Sequence, residues 1–351
     1  MFDATTDVFD YRVNRHSRFQ PTAAVIGYRT KHIVQVQQEH NIIWMSHSNT
    51  SIMAVLDTEP LDIIKTLNLA QYIQQCISQN QRDDQRVLNP HNINQSCRKM
   101  TINNKSNTLT HTYGQSHVTL GNTAILCGIT LEVGKLSELV HGSIDARINI
   151  ELVCTPACNN QKYTINKIDN NIVSINQQLN AIIRSSRCVD NNILNIINNT
   201  ISNNATNLDQ YCYVLYVDLI CINDDGNLFD AALLACITAL QNTYLPQYTN
   251  IDSDTNELTI SEQRSTIPLQ LNNIPIATTF AILGDSTILI DPTYDEECVS
   301  TGLLTVCVTD ENNICYINKI GIVDIDQLQM EHCIQQATQR HKQITMMNKQ
   351  L

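Results

Sequence analysis

The chain has 351 residues, a hydrophobic fraction of 42% and a formal net charge of −12 at pH 7. This length allows one large domain or two modest ones with a substantial buried core. The negative charge argues against a protein that binds nucleic acid tightly by itself, because such affinity depends mainly on Lys and Arg side chains that neutralise phosphates. A role on nucleic acid would therefore require partners that supply most of the positive charge.

The sequence has none of the features of a membrane or secreted protein. No stretch approaches the roughly 18 consecutive apolar residues of a membrane-spanning helix, and residues 1–16 carry charges where a secretion signal needs an apolar run. The thirteen cysteines stand singly in otherwise apolar segments, which is typical of reduced, buried thiols. We therefore expect a protein of the cytosol or nucleus with no membrane association.

The first part of the chain differs from the rest. Residues 1–58 contain the only Trp and show no clear hydrophobic period, so they support no functional prediction. From Glu59, apolar residues recur at three-to-four spacing, which predicts a helix over residues 59–80 with Pro60 in its first turn.

The middle of the chain predicts strands followed by helices. Gly114 and Gly121 flank the first strand of a hairpin, and the apolar run 123–133 predicts its second strand. Residues 149–158 indicate another strand, and the spacing of Ile and Leu over residues 165–201 predicts one or two amphipathic helices.

The C-terminal part begins with residues 213–222, an almost wholly apolar run that predicts a strand covered on both faces. Its one charged residue, Asp218, would then need a partner. An alanine-rich helix is predicted over residues 231–240, with Asp230 as its N-cap or first-turn acid.

Two further hairpins, over residues 278–290 and 303–317, precede a final amphipathic helix over residues 328–347. Strands and helices thus alternate in clusters. This order predicts an α+β fold with mixed sheets and packed helices, and it argues against a doubly wound parallel sheet.

Three dispersed motifs in this order resemble the RNase PH family. They are an Arg-x-Asp-x-Arg box at residues 82–86, Gly-Asn-Thr at residues 121–123, and Asp-Gly-Asn at residues 225–227 before the alanine-rich helix. The box departs from the family's Arg-Pro-Asp-Gly-Arg, since Asp83 and Gln85 replace proline and glycine. The resemblance implies an RNase PH-like fold, of the ribosomal protein S5 domain 2-like type.

The resemblance begins at about Glu59 and runs to the C terminus, which suggests two regions. Residues 1–58 would be an N-terminal extension of unknown role. Residues 59–351 would be the RNase PH-like domain, with an N-terminal part over 59–210 and a C-terminal part over 211–351.

The chemistry that the resemblance implies is degenerate in this chain. Active members carry Gly-Ser/Thr-Arg in a phosphate loop before the alanine-rich helix, where this chain has Gly226, Asn227 and Leu228. Leucine cannot bind phosphate. Active members also carry an aspartate after Ile-Pro-Met-Arg, and Thr278 occupies that position here. We therefore expect no catalytic residue and no cofactor.

Four basic residues are candidate RNA contacts: Arg82, Arg86, Arg98 and Lys99. For Arg82 and Arg86 the alternative is structural, because an arginine pair around Asp84 can hold its segment in place by ion pairing.

Acids and cysteines offer weak candidates for a metal site. We expect Asp225 to form a turn, Asp230 to cap a helix and Asp291 to begin a turn before Pro292. The acidic run 295–297 predicts a solvated helix start. Cys154 and Cys158 have no second Cys/His pair at zinc spacing, so no metal site is predicted.

Within the family, the chain resembles the non-catalytic ring subunits of the eukaryotic RNA exosome. The resemblance implies a structural subunit in 3′-to-5′ RNA processing and degradation, including rRNA processing and mRNA turnover. It also implies a six-member ring with other RNase PH-like subunits plus cap proteins, RNA contact through the assembled complex, and a location in nucleus, nucleolus and cytoplasm. An active phosphate-dependent 3′-to-5′ exoribonuclease and a free-standing interaction module that uses residues 1–58 remain the alternatives.

Overall fold

The structure is a computed structural model. It describes residues 33–37, 42–47, 50–55, 65, 67–88, 95–104, 109–135, 147–155, 158, 170–196, 211–251, 258–264, 267–284, 287–310 and 313–348. The chain divides into two compact units, Met1–Ile63 and Ile64–Leu351. The boundary expected between residues 58 and 59 lies outside the described residues and stays a prediction.

The first unit contains a three-stranded antiparallel sheet in the order β1-β2-β3. Its strands are β1 Ile33–Gln37, β2 Ile42–His47 and β3 Thr50–Val55. All three are rich in Ile, Val or Thr, which favour strands. These segments do not alternate regularly between apolar and polar residues, so the sequence shows no clear period here.

The second unit is built around a six-stranded sheet with β4-β5-β6-β9-β7 as its main order. Its strands are β4 Met100–Asn103, β5 Gly114–Leu120, β6 Thr123–Lys135, β7 Ile148–Cys154, β8 Asn195–Ile196 and β9 Tyr211–Asn223. The predicted hairpin is β5–β6, and it is confirmed as an antiparallel pair. β7 runs parallel to β9, and the short β8 also pairs with β9.

A four-stranded antiparallel sheet follows in the order β13-β12-β14-β15. Its strands are β12 Ile276–Leu283, β13 Thr287–Ile290, β14 Gly302–Val308 and β15 Ile314–Gly321. These are the two predicted C-terminal hairpins. A two-stranded sheet of β10 Pro246–Ile251 and β11 Leu258–Arg264 was not predicted from the sequence.

The described residues contain six helices: α1 Leu69–Ser78, α2 Asn170–Ser186, α3 Asn191–Leu194, α4 Leu228–Gln241, α5 Tyr294–Val299 and α6 Gln327–Asn348. Asn68 caps the start of α1, with its Oδ1 accepting from the Gln71 amide at 3.2 Å. Lys65 and Leu67, which precede this cap, are also helical, as predicted. The start predicted at Glu59 and Pro60 lies outside the described residues. Among the described residues, no helix combines the length and the apolar character needed to cross a membrane.

β9 corrects one expectation. From Leu215 onward its side chains alternate, so Leu215, Val217 and Leu219 are buried while Tyr216 and Asp218 are exposed. The strand is therefore covered on one face over this stretch, and Asp218 needs no buried partner. The prediction was wrong because the exposed face also carries apolar residues, which hid the period of two.

α4 is the centre of the second unit. It contacts β5 and β6 of the larger sheet and β12 of the smaller one. All of its residues from Leu228 to Leu240 are buried, and the small alanine side chains allow both sheets to approach closely. A helix that is apolar on all sides is expected in such a position.

The central position of α4 predicts unequal effects of two leucine truncations. Leu233 in α4 is fully buried, so Leu233→Ala should lower the free energy of unfolding by about 2–5 kcal/mol. Leu328 in α6 is 72% exposed, so Leu328→Ala should change it by less than about 0.5 kcal/mol. Pulse proteolysis across a urea series measures both. Equal shifts would contradict the central packing of α4.

Candidate functional site

The loop between β9 and α4 occupies the position of the expected phosphate loop. Residues 224–227 pack directly against the backbone that follows β13. Gly226 has a φ of +84°, and a Cβ at this residue would lie 2.4 Å from the Tyr294 nitrogen. The Tyr294 amide donates to the Asp225 carbonyl at 3.0 Å. Glycine is therefore required at 226 because two backbone segments meet there.

Three successive amides of this loop already have acceptors within the chain. The pairs are Asp225 N to Thr123 Oγ1 at 3.1 Å, Gly226 N to Asp224 Oδ1 at 3.0 Å and Asn227 N to Glu297 Oε1 at 2.6 Å. Backbone amides before a helix are the groups that bind an anion at such a loop. Here side-chain oxygens occupy them, and at Gly226 and Asn227 the acceptor is a carboxylate.

Asn227 and Leu228 contribute no cation to the loop. Asn227 is the residue before the helix, in the left-handed region with a φ of 54°, and its side chain does not cap α4. Its amide nitrogen Nδ2 instead donates to Asp230 at 2.9 Å and to Asp291 at 2.8 Å. Leu228 is buried within the hydrophobic core. The structure thus has a leucine side chain directed into the core where the resemblance implies an arginine.

Asp291 lies beneath the loop as a buried acceptor. Its carboxylate accepts from the Arg98 amide at 2.7 Å, from Arg98 Nη2 at 2.8 Å and from Asn227 Nδ2 at 2.8 Å. Burial by itself would raise the pKa of Asp291, but the charges of Arg98 and Arg340 outweigh it and hold the pKa well below its usual range. The carboxylate is therefore ionised at neutral pH.

Arg98 connects Asp291 to the loop. Its Nη1 donates to the Asp225 carbonyl at 2.8 Å, and its Nη2 donates to the Gly226 carbonyl at 3.1 Å. One buried guanidinium thus contacts the loop carbonyls and the Asp291 carboxylate together. Its donors are directed at the chain's own oxygens, and the side chain is only 6% exposed.

Arg82 forms a second buried pair with Glu296. Its Nε donates to Glu296 Oε1 at 2.7 Å, its Nη2 donates to Glu296 Oε2, and its Nη1 donates to the Ile290 carbonyl at 2.8 Å. Glu296 also forms a capping box with Thr293 at the start of α5. The expectation of a solvated acidic helix start was wrong for Glu296, which is 3% exposed. The sequence did not show that an arginine 214 residues away pairs with it.

Arg86 lies between these two pairs. Its Nε donates to Asp84 Oδ2 at 2.5 Å, and its Nη1 donates to the carbonyls of Ser96 at 2.7 Å and Asp291 at 2.8 Å. Its Nη2 has no hydrogen-bond acceptor and lies 3.8 Å from a Glu296 oxygen. Burial and the nearby charge of Arg82 lower the pKa of Arg86.

The four basic residues that were candidate RNA contacts differ in their exposure to solvent. Arg82, Arg86 and Arg98 are buried and bonded to the chain itself, whereas Lys99 is exposed. An ion pair of Arg86 with Asp84, the structural alternative, is present. RNA contact by these residues stays a prediction, and Lys99 has the accessibility that such a contact requires.

Asp230 and Thr278 lie on the other side of the loop. Asp230 is a buried residue of the first turn of α4, and it accepts from the Thr279 amide at 2.9 Å and the Thr279 hydroxyl at 2.7 Å. It therefore joins α4 to β12, and it does not occupy the N-cap position. Thr278 is 1% exposed, and its hydroxyl has no hydrogen-bond partner.

Asp225 and Asp291, which were expected to form turns, each make a further contact through the carboxylate. Asp225 does form the turn, and its carboxylate accepts from Asn122 Nδ2 at 3.1 Å. Asp291 also begins a turn before Pro292, but its carboxylate is the buried partner of Arg98. The carboxylates of Asp291 and Glu297 both reach the loop, which the sequence analysis missed. The capping signature Thr293-x-x-Glu296 was the available sign that this segment is ordered.

Comparison with known proteins agrees with this architecture. The family models of the 3′ exoribonuclease family match the chain, domain 1 at residues 96–246 and domain 2 at residues 273–340. Together they cover more than half of the sequence. The chain belongs to this family.

Two curated relatives illustrate the similarity. "Exosome complex component Rrp42" of Methanopyrus kandleri is 29% identical over 231 residues, which are 66% of this chain and 80% of the relative. "Exosome complex component RRP45" of Danio rerio is 29% identical over 245 residues, which are 68% of this chain. The match spans only 58% of that zebrafish protein.

Two solved structures share the fold. The first is described as "archaeoglobus fulgidus exosome with RNA bound to the active site". It has a TM-score of 0.62 at 22% identity, over 81% of this chain and 97% of the other. An "Archaeal exosome core" chain has a TM-score of 0.61 at 22% identity, over 83% and 100%. The predicted RNase PH-like α+β fold is confirmed.

The buried pairs predict different effects for two acids that lie four residues apart. Asp291→Ala would leave Arg98 buried without its carboxylate, and we expect a loss of about 3–5 kcal/mol in the free energy of unfolding. Asp295 pairs with Lys65 at 3.0 Å, and both side chains are about one-third exposed. Solvent screens this pair, so Asp295→Ala should cost about 0–1 kcal/mol.

Urea midpoints of the two variants, measured by pulse proteolysis beside the unchanged chain, test this difference. Similar midpoints for Asp291→Ala and Asp295→Ala would contradict the central role of Asp291.

Proposed function

We propose that the chain is a non-catalytic structural subunit of the exosome core ring. It would support 3′-to-5′ RNA processing and degradation, including rRNA processing and mRNA turnover. The names of its relatives and the titles of the similar structures support a place in such a complex. Its non-catalytic character rests on the loop that precedes α4.

The observation that carries the proposal is the internal occupation of this loop. Phosphorolysis requires an inorganic phosphate held next to the terminal RNA phosphodiester. The amides of Asp225, Gly226 and Asn227 donate to side-chain oxygens of the chain. Because Glu297 brings a negative charge to the Asn227 amide, a phosphate would have to displace a carboxylate without help from a cation at Leu228.

The surface of the chain supports assembly with partners. Val153 and Ile220 are paired positions on neighbouring strands β7 and β9, and they are 52% and 38% exposed. Ile222 on the same face is 44% exposed. An apolar patch on an otherwise charged protein is typical of a protein interface. We infer contact with other RNase PH-like subunits in a six-member ring with cap proteins.

The charge of the chain is consistent with RNA contact through the complex. At a net charge of −12, the neighbours must supply most of the basic residues that line an RNA path. As for any exosome subunit of this kind, we propose a location in the nucleus, including the nucleolus, and in the cytoplasm.

The finer identity is a separate proposal. Residues 213–240, 275–297 and 333–344 resemble ribosomal RNA-processing protein 43 of the exosome ring. The curated relatives reported above carry the names Rrp42 and RRP45 instead. We infer an inactive ring subunit of this group, and its assignment to the 43 type stays a prediction.

One observation favours the alternative of an active exoribonuclease. The carboxylates of Asp291 and Glu297 reach the loop, so the threonine at position 278 does not leave the loop without a nearby acid. However, Asp291 is held by Arg98, and Glu297 occupies the place where a phosphate would sit. Neither carboxylate is free to assist a departing hydroxyl.

The proposal predicts no phosphorolysis by this chain. Each missing group, the cation and the free acid, typically contributes on the order of a hundred-fold or more, so their joint loss should leave no measurable activity. The partnered chain is incubated with single-stranded RNA, with and without inorganic phosphate, and nucleoside diphosphates are measured. The matched variant is Asp225→Ala, with assembly checked by size-exclusion chromatography. Phosphate-dependent release that this variant abolishes would show that the chain is an enzyme.

The apolar patch predicts dependence on partners. The isolated chain should self-associate at micromolar concentration in light scattering, and Ile220→Asp should reduce the RNase PH-like partner that co-purifies with it. Asp218→Asn, two residues away on the same exposed face, removes no apolar area and serves as control. A monodisperse isolated monomer, or equal partner recovery with Ile220→Asp, would count against ring assembly through this face.

A further inference from the structure

Three cysteines meet where strands β7 and β9 run parallel. Cys154 is the last residue of β7, and Cys221 is its paired residue on β9. The Cys158 amide donates to the Thr155 carbonyl at 2.9 Å. The Thr155 amide in turn donates to the Cys221 carbonyl at 3.1 Å. The backbone thus fixes all three positions.

The distances between the sulfur atoms suit a shared ligand. All three Sγ atoms lie within 4.8 Å of one another, and those of Cys158 and Cys221 are 3.0 Å apart. In a tetrahedral zinc site with Zn–S bonds of about 2.3 Å, two sulfur atoms are separated by roughly 3.8 Å, which falls within this span. A disulfide requires a separation of about 2.05 Å.

The burial of the three thiols differs in a way that leaves one side open. Cys158 and Cys221 are fully buried, whereas Cys154 is partly exposed. A metal ion here would have three protein ligands and a fourth position toward solvent for water. Thiolate ligands select soft ions such as Zn²⁺ or Cu(I) over the hard ions Mg²⁺ and Ca²⁺.

We propose that Cys154, Cys158 and Cys221 form a binding site for a thiophilic metal ion of the Zn²⁺ type. The ion ties the end of β7 to β9, three residues before the loop that begins at Asp224. The sequence predicted no metal site because Cys154 and Cys158 have no second Cys/His pair at short spacing. The third ligand comes from β9, 63 residues beyond Cys158.

Cysteine binds metal as the thiolate, so binding of an ion here releases thiol protons to the buffer. A protonated thiol is also a poor nucleophile, which disfavours spontaneous disulfide formation.

The test measures the metal content of the full chain. The chain is purified with its partners under reducing conditions, loaded with Zn²⁺ and dialysed before the measurement. We expect about one equivalent of zinc per chain, and loss of that equivalent in Cys154→Ala and in Cys158→Ala. Cys236→Ala is the matched control, because Cys236 is fully buried in the same core but lies on α4, outside the cluster. Its zinc content should equal that of the unchanged chain.

Two further readouts keep the test decisive if a variant folds poorly. Cys154 is partly exposed, so Cys154→Ala should keep the chain soluble and partnered. Loading with Co²⁺ should give a thiolate-to-cobalt absorption band that this variant lacks. Absence of stoichiometric zinc, zinc retained in both ligand variants, or a mass two units lower that a reductant restores would overturn the proposal.

Discussion

The buried pair of Arg98 and Asp291 is the interaction on which the geometry of the loop before α4 depends. Asp291 follows β13 of the smaller sheet, and Arg98 precedes β4 of the larger one. Moving the two sheets apart would separate this pair and leave a buried charge without its partner. Because that is energetically costly, the pair holds the two sheets in one arrangement. Because Arg98 also donates to the carbonyls of Asp225 and Gly226, the same arrangement fixes the loop.

This arrangement has a chemical consequence. A loop at a helix start binds anions when its amides are free and a cation is close. In this chain the nearest guanidinium donates to carbonyls and to Asp291, while Glu297 accepts from the Asn227 amide. The groups that resemble an anion site are satisfied within the protein itself. A loop closed in this way is consistent with the structural role proposed above.

Sequence patterns were sufficient where local spacing decides the structure. The hairpin β5–β6, the strand β9 and the buried helix α4 follow from periodicity and turn residues. Sequence patterns were insufficient where segments that are distant in the sequence meet. The partner of Glu296 is Arg82, and no local pattern distinguishes a buried glutamate from a solvated one. The exposed face of β9 was missed for a related reason, since exposed apolar residues have the same sequence pattern as core residues.

We infer that Glu297 and the Arg98–Asp291 pair close the loop against phosphate. The test is an experimental structure of the partnered chain, determined in millimolar inorganic phosphate at a resolution that shows side chains. We expect Glu297 within hydrogen-bond distance of the Asn227 amide and Arg98 paired with Asp291. A phosphate ion seated on the amides of residues 225–227, with Glu297 displaced, would contradict it.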